Sequence, residues 1–299
     1  MIKTGIYGSS SIDDPVRKQL LRLLLRHPDV DLRAVASKAG NTVPLSELHP
    51  VFAGETSLTL ERELSLDGLD LIFVIDEENL TDQIITRYTE DEKFRVILLG
   101  NATATLADRP DWMVYGLPEY YRKPLVRGAR AAVSPRPEAI LIELALLPLA
   151  KKALIESGVS ATLATSDRVR LAVAAIEASR ILSEINTAPV AVDTLPDREP
   201  PYGRLDLVAS LETPLALEEI ERIYAEAYDD HSFVHMLPAG VTIDEDLRGS
   251  NKCLIQLSKD GSTLTVRASI DALTKGCTGN AVHLMDLLFG LHERTGLSI

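Results

Sequence analysis

The chain has 299 residues, which is enough for two domains with separate hydrophobic cores. Its 45% hydrophobic and 25% charged residues are typical of a globular protein, and its net charge of −13 at pH 7 argues against a nucleic-acid partner. Cys253 and Cys277 are the only cysteines, so neither a disulfide framework nor a metal site is expected, and no apolar run reaches the roughly 18 residues of a membrane span.

The N-terminal segment predicts a βαβ unit of the Rossmann type. Residues 2–8 are typical of a short strand ending in glycine, residues 16–26 of a helix with a leucine-rich face, and residues 31–37 of a second strand. No signal peptide precedes the first strand, so we expect a cytoplasmic protein. A Rossmann fold holds a pyrophosphate at the turn between its first strand and helix. The candidate cofactor-binding residues in this turn are Gly5, Gly8 and Ser10.

The glycine pattern of this turn is incomplete. The third glycine position is taken by Ser11 or a residue after it, and the turn continues into Asp13 and Asp14. Two carboxylates at a helix N-terminus satisfy the helix dipole from within the protein. They would also repel a pyrophosphate, at a cost of about a kcal/mol or more each where water is excluded. The turn therefore argues against binding of a dinucleotide such as NADP.

The rest of the chain predicts a mixed α/β fold with two different sheets. Continuous apolar runs at residues 69–75 and 94–99 are typical of parallel strands buried on both faces. Residues 205–211 alternate between apolar and polar side chains, as antiparallel strands do, and residues 246–255 and 263–270 predict two more strands. We expect a Rossmann-like domain with a parallel sheet and an inserted α+β domain with an antiparallel sheet.

A small-residue turn and a helix near the C-terminus form the most specific block of the sequence. The turn passes through Gly276, Cys277 and Gly279 into a helix whose apolar residues recur at helical spacing. Such a turn presents backbone N–H groups that suit a phosphate, a carboxylate or a cofactor amide. Gly279 and Asn280 are therefore candidate cofactor-binding residues. His283 lies one turn further on, where we expect it on the helix surface.

With residues 269–274 before it and residues 292–297 after it, this block resembles the C-terminal signature of the N-acetyl-gamma-glutamyl-phosphate reductases, relatives of aspartate-semialdehyde dehydrogenase. The resemblance covers nearly the whole chain and is also close at residues 23–30 and 44–50. It implies an oxidoreductase of arginine biosynthesis. In the reaction it implies, a thiolate attacks an acyl phosphate, phosphate leaves, and NADPH reduces the thioester.

The resemblance also implies the organisation of the chain. It places a dinucleotide-binding domain at residues 1–134 and 277–299 and a substrate and dimerisation domain at residues 135–276. It implies a small-molecule ligand and a homodimer or homotetramer. Ser37 and Lys38 stand where the resemblance implies contacts with the adenosine ribose of NADP.

The positions that the resemblance assigns to catalysis hold unsuitable residues. Pro135 stands where the resemblance implies the attacking cysteine, and Ser179 and Ile181 stand at its two histidine positions. Cys277 is a candidate substitute nucleophile because the resemblance implies that its turn lies near the nicotinamide, but a free cysteine is more often a small buried hydrophobic residue. Loss of either group in a covalent mechanism costs several orders of magnitude in rate.

Two functions remain open from the sequence. The first is a reductase homologue that still binds NADP and catalyses a reaction, although the activity typical of the family is lost or much reduced. The second is a non-catalytic relative that keeps the fold and the dimer surface and acts as a binding or regulatory partner, for example of an active paralogue. The replaced catalytic positions favour the second function, whereas the preserved C-terminal block favours a retained ligand site.

Overall fold

The computed structural model describes residues 1–8, 14–38, 42–75, 80–99, 112–155, 159–163, 168–185, 190–194, 203–243 and 245–298. The cofactor candidate Ser10 and the carboxylate Asp13 lie outside these ranges. The chain divides into two compact units. The first unit consists of Met1–Pro135 and Cys277–Leu297, and the second consists of Arg136–Gly276 and Ser298–Ile299. The functions predicted for the two domains remain predictions.

Strands and helices are numbered along the chain. The strands are β1 Ile2–Gly8, β2 Val30–Ser37, β3 Val43–Pro44, β4 Thr59–Glu61, β5 Leu71–Ile75, β6 Arg95–Leu99, β7 Val114–Tyr115, β8 Ala131–Val133, β9 Val159–Leu163, β10 Val190–Thr194, β11 Arg204–Glu212, β12 Val234–Leu237, β13 Cys253–Asp260 and β14 Thr263–Asp271. The α-helices are α1 Pro15–Arg26, α2 Leu45–Leu48, α3 Asp82–Glu90, α4 Pro118–Val126, α5 Pro137–Lys151, α6 Arg168–Glu184, α7 Leu217–Tyr228 and α8 Gly279–Leu288.

The first unit is built on an eight-stranded sheet in the order β3-β4-β2-β1-β5-β6-β8-β7. Neighbouring strands run parallel, except that the short β3 is antiparallel to β4. Every residue of β5 is buried, as expected for a strand covered on both faces. Helix α8 joins this unit from the C-terminal part of the chain. The sheet confirms the predicted Rossmann-like, mainly parallel architecture.

The second unit contains a six-stranded sheet in the order β10-β9-β11-β14-β13-β12. The central pairs from β9 to β13 are antiparallel, whereas β10 and β12 each run parallel to their neighbour. Along β11 the apolar side chains of Leu205, Leu207 and Ala209 are buried and the intervening ones are partly exposed, which confirms the alternation predicted for this segment. The predicted α/β fold with a second, mostly antiparallel sheet is thus confirmed.

One predicted strand begins later than expected. The strand predicted from Asp246 starts only at Cys253, because Glu245–Leu247 form a 3₁₀ turn and β13 pairs with β14 only from Cys253 onward. Within the described residues, no helix is both long and apolar enough to cross a membrane.

Helix α5 is buried along almost its whole length and contains Pro148. Proline has no N–H, so Pro148 cannot donate to the carbonyl of Leu144, four residues earlier in the helix. The hydroxyl of Tyr228 on α7 donates to this carbonyl, and Tyr224 donates to the neighbouring carbonyl of Ala145. Complete burial also raises the pKa of Tyr224. The two tyrosines therefore attach α7 to the helix position where α5 lacks a backbone donor.

The variant Tyr228→Phe should lower the free energy of unfolding by about 1–3 kcal/mol, because it leaves the buried Leu144 carbonyl without its hydroxyl donor. Pro148→Ala supplies a backbone N–H at the position that normally serves this carbonyl, so Tyr228→Phe should cost less in that background. Chemical denaturation of the four proteins of this double-mutant cycle measures the difference. Equal costs in both backgrounds would contradict the compensation of Pro148 by Tyr228.

Candidate functional site

Asn280 lies in the first turn of α8, and its side chain joins three segments of the first unit. Its Nδ2 group donates to the Gly116 carbonyl and to the Ser134 hydroxyl oxygen, both at 2.9 Å. Because a carbonyl oxygen only accepts hydrogen bonds, this contact fixes which end of the amide faces Gly116. The amide oxygen Oδ1 is buried without a hydrogen-bond partner in the part of the chain that the structure describes. It is an acceptor suited to an N–H or O–H group of a ligand.

The predicted nucleophile position follows directly after strand β8. The Ser134 N–H donates to the Leu98 carbonyl at 2.8 Å, which extends the pairing of β8 with β6. The next residue, Pro135, is buried, and its ring carries no group that could attack an acyl phosphate. In the second unit, α5 then begins at Pro137, without a side-chain hydrogen bond from its N-cap residue Arg136.

The substitute nucleophile Cys277 lies in a π-helical turn, Thr274–Thr278, immediately before α8. Its side chain is only 5% exposed. A catalytic cysteine needs both access to its substrate and an environment that favours the thiolate. Because Cys277 is buried, a substrate has little access to its thiol. This favours the interpretation of Cys277 as a small buried hydrophobic residue.

The two predicted histidine positions lie on α6 in the second unit. Ile181 is 2% exposed and belongs to the apolar core of the protein, whereas Ser179 is partly exposed. An aliphatic side chain cannot carry a proton, and a serine hydroxyl does not titrate in the physiological range. Neither residue can therefore replace an acid/base histidine by its own chemistry.

The two glycines predicted to bind the cofactor, Gly5 and Gly8, both lie in strand β1, where they pack against neighbouring residues. A Cβ atom at Gly8 would overlap the carbonyl oxygen of Ile75 on β5. A Cβ atom at Gly5 would come within 2.7 Å of a Leu69 methyl carbon and 2.9 Å of an Ile72 methyl carbon. The backbone contact makes glycine necessary at position 8, whereas the side-chain ends near Gly5 can shift, so packing alone accounts for Gly8 without a bound pyrophosphate.

The start of α1 offers few donors to a pyrophosphate. Pro15, the first residue of α1, has no N–H, and the N–H of Val16 donates to the Asp14 carboxylate at 3.0 Å. The side chain of Arg17 is fully buried, and its Nη2 group donates to the Gly8 carbonyl at 3.3 Å. The first two residues of α1 therefore present no unpaired N–H group of the kind that binds a pyrophosphate at a helix N-terminus.

The residues predicted beside the adenosine ribose lie at the end of β2. Ser37 is fully buried, while Lys38 is exposed and its Nζ lies 5.5 Å from the centre of the Tyr7 ring. A lysine over an aromatic face is stabilised by the cation–π interaction without any ligand. Among the described residues, no group of three or more His, Cys, Asp and Glu side chains could hold a metal ion.

Comparison with known proteins decides the family. A family model described as the semialdehyde dehydrogenase dimerisation domain matches residues 177–272. The N-acetyl-gamma-glutamyl-phosphate reductases of Parabacteroides distasonis and Phocaeicola vulgatus are 31% and 30% identical to this chain, with 100% of the chain and 98% of each relative covered. This chain belongs to the N-acetyl-gamma-glutamyl-phosphate reductase family.

Solved structures support the fold of this reductase-family chain. Aspartate semialdehyde dehydrogenase II of Vibrio cholerae, complexed with ASA, matches with a TM-score of 0.69 at 13% identity, over 97% of this chain and 99% of that chain. The aspartate semialdehyde dehydrogenase of Candida albicans, crystallised with NADP, matches with a TM-score of 0.68 at 13% identity over the same shares. At these identities the likeness shows the fold alone.

His283 of this family member is not on the helix surface, contrary to the expectation from its position. Its side chain is 3% exposed, and its Nε2 lies 3.4 Å from Glu293 Oε2. Glu293 also forms a salt bridge with Arg122 on α4. Helical periodicity could not predict the burial of His283. The residue lies on a polar face of α8, and its partner Glu293 comes from a later segment of the chain.

Asp286, near the end of α8, is a buried carboxyl group with a raised pKa. Burial raises its pKa to about 6, although the hydrogen bond and charge of His27 oppose the shift. His27 Nδ1 accepts from the Asp29 N–H at 3.2 Å, so Nε2 carries the proton and donates to Asp286 Oδ1 at 3.1 Å. Asp29 adds to the shift and His292 opposes it. These contacts give Asp286 a structural role in attaching α8.

The raised pKa makes stability depend on pH. The folded protein binds the Asp286 proton more tightly than the unfolded chain between roughly pH 4 and 6, so this group's contribution to the free energy of unfolding falls by about 3 kcal/mol as pH rises through that range. Asp286→Asn should abolish this component and raise stability at pH 8. Urea denaturation from pH 4 to pH 8 tests this, with the partly exposed Asp31→Asn as a control that keeps the dependence. A profile of Asp286→Asn parallel to the wild type would contradict the role of Asp286.

The thiol of Cys277 should react slowly with alkylating reagents. In a Cys253→Ala background, where it is the sole cysteine, it should react with iodoacetamide more slowly in the native protein than after denaturation, because its side chain is buried. Mass spectrometry of timed samples measures both rates. A native rate equal to or above the denatured rate would instead support a nucleophilic Cys277.

Proposed function

We propose that this protein is a non-reducing member of the N-acetyl-gamma-glutamyl-phosphate reductase family, whose activity is lost or greatly reduced. Its role is then that of a binding or regulatory protein, for example of an active paralogue in arginine biosynthesis. The observation that carries the proposal is Pro135, which stands at the position implied for the attacking thiol. Both cysteines of the chain are buried elsewhere, Cys253 on β13 and Cys277 before α8.

The chemistry of the relatives' named substrate explains why this single position matters. An acyl phosphate is reduced through a thioester only if a thiolate first displaces the phosphate, and a proton donor must then assist the later steps. Pro135 cannot form the thioester, and Ile181 cannot donate the proton. Loss of one member of a catalytic set commonly removes most of the rate, so the second loss changes little further.

A second candidate is a reductase that uses NADP and Cys277. The observation in its favour is the unpaired Oδ1 of Asn280, because a buried acceptor without a partner costs about 1–3 kcal/mol and suits a ligand amide. The nicotinamide carboxamide would supply such a donor. The pyrophosphate of NADP would find few unpaired N–H groups at the start of α1, and this weakens the second candidate.

We further propose that the protein is a homodimer or homotetramer that assembles through the second unit. The family model that matches residues 177–272 is described as a dimerisation domain, and these residues include β11, β13 and β14. A retained assembly surface is what a regulatory partner of an active paralogue would need. A small molecule could still bind beside Asn280, whose side-chain oxygen Oδ1 is an acceptor without a hydrogen-bond partner among the described residues.

The purified protein should not turn over N-acetylglutamyl phosphate with NADPH, because it has no thiol at position 135. The reductase of Parabacteroides distasonis, assayed in parallel, is the positive control. Thermal unfolding with N-acetylglutamate tests ligand binding separately, because a ligand at about 100 times its Kd adds about 2.7 kcal/mol of stability. Turnover at a rate comparable to the control would overturn the proposal and support the second candidate. Loss of that turnover in Cys277→Ser would then identify the nucleophile.

A further inference from the structure

The last segment of the first unit, residues 290–297, follows α8 and lies against titratable side chains. We infer that this C-terminal segment is a pH-dependent clasp, which holds the His27–Asp286 pair more firmly at pH 5 than at pH 8 and opens without unfolding of the sheet. The inference concerns regulation within the fold and rests on residues other than Pro135 and Ile181. It therefore stands or falls independently of the proposed function.

The backbone of the C-terminal segment bonds to itself in its second half. The Thr295 N–H donates to the His292 carbonyl at 2.9 Å. The Leu297 N–H donates to the Arg294 carbonyl at 3.2 Å. Local hydrogen bonds of this kind survive detachment of a segment poorly and are opened at a smaller free energy than those of a central strand. The attachment of the segment to the first unit therefore depends on its side-chain contacts.

The first of these contacts is made by Glu293. This residue forms a salt bridge with Arg122 on α4, and its Oε2 lies 3.4 Å from Nε2 of His283 on α8. A carboxylate attracts an imidazole ring more strongly when the ring is protonated. The contact between Glu293 and His283 is therefore stronger in acidic than in alkaline solution.

The second contact is made by Gly296, which lies against the His27 ring. A Cβ atom at Gly296 would overlap the ring carbon Cδ2 of His27, and the φ angle of +69° also favours glycine. The side chains of His27 and Asp286 are completely shielded from solvent. The C-terminal segment contributes to this shielding, so its detachment would admit water to the pair.

The pair contains a carboxyl group whose ionised form is poorly compensated. Asp286 Oδ1 is bonded to His27 at 3.1 Å, but Oδ2 is buried without a hydrogen-bond partner among the described residues. The charged groups that face Asp286 are His27 at the end of α1, Asp29 before β2 and His292 in the C-terminal segment. Burial is the largest effect and raises the pKa of Asp286 to about 6, Asp29 acts in the same direction, and the two histidines oppose it. Ionisation of Asp286 therefore disfavours the closed segment.

The two contacts respond to pH in the same direction. Water that enters on opening returns the pKa of Asp286 toward 3.8, the ordinary value for this carboxyl group. The closed segment thus binds the proton more tightly, and the ratio of closed to open molecules falls about tenfold between pH 5 and pH 8 from this group alone. Loss of the proton from His283 weakens its attraction to Glu293 and adds to the fall.

Hydrogen–deuterium exchange of the full-length protein between pH 5 and pH 8, read by mass spectrometry, tests the inference. Exchange rates divided by the intrinsic rate at each pH give the protection of each segment. The Thr295 and Leu297 amides should be less protected than those of the central strand β5 by about tenfold or more, and their protection should fall about tenfold from pH 5 to pH 8. Protection equal to that of β5, or independent of pH, would overturn the inference.

Asp286→Asn identifies the group responsible for the pH dependence. The variant should remove most of the fall in protection of residues 291–297, whereas the control Asp31→Asn should keep it. A fall that persists undiminished in Asp286→Asn would contradict the assignment. The wild-type series decides the inference by itself if this variant does not fold.

Gly296→Ala tests whether the C-terminal segment opens as a separate element. Its Cβ atom would strike His27, so the protection of residues 291–297 should fall more than that of β5 at every pH. Gly54→Ala is the matched control, because Gly54 also has a positive φ angle, +81°, but no neighbouring atom within 4 Å of its Cβ position. This control should leave the segment's protection relative to β5 unchanged. An equal loss of protection in the segment and in β5 of Gly296→Ala would show one cooperative unit and overturn the clasp.

Discussion

The chain leaves the first unit after Pro135 and returns to it at Cys277, so this unit depends on contacts between residues far apart in sequence. Helix α8 makes these contacts through buried polar side chains near its two ends. Asn280 bonds Gly116 and Ser134, and Asp286 bonds His27. Hydrogen bonds have strict geometry, so they fix the register of the returning helix more narrowly than apolar contact alone would.

This dependence explains how the scaffold would persist under the loss of catalytic groups that we propose. The residues that attach α8 have structural partners within the first unit, and none of them has to take part in a reaction. Pro135 and Ile181 are both buried, and an apolar ring or chain at either place satisfies packing without supplying chemistry. Packing at these two positions therefore does not depend on a catalytic side chain.

Much of the fold follows from the sequence because strand periodicity and burial are local signals. The continuous apolar runs of β5 and β6 and the alternation of β11 identify the two kinds of sheet directly. The site is harder to predict because its contacts join distant segments. The sequence indicates a ligand role for Gly8, but only the structure shows that β5 already fills the adjacent space. A cation is unfavourable in the first turn of a helix, so the position of Arg17 could have indicated from the sequence that its side chain has a specific structural contact.

The origin of α8 has a consequence for biosynthesis. A ribosome produces residues 136–276 of the second unit before it produces α8, so the mainly parallel sheet of the first unit is translated long before its last helix exists. During this interval Ser134 and His27 have been synthesised, but Asn280 and Asp286, with which they form hydrogen bonds, have not. The nascent first unit therefore cannot complete its folding in the order of translation, and it can bind α8 only after this helix has left the ribosomal tunnel.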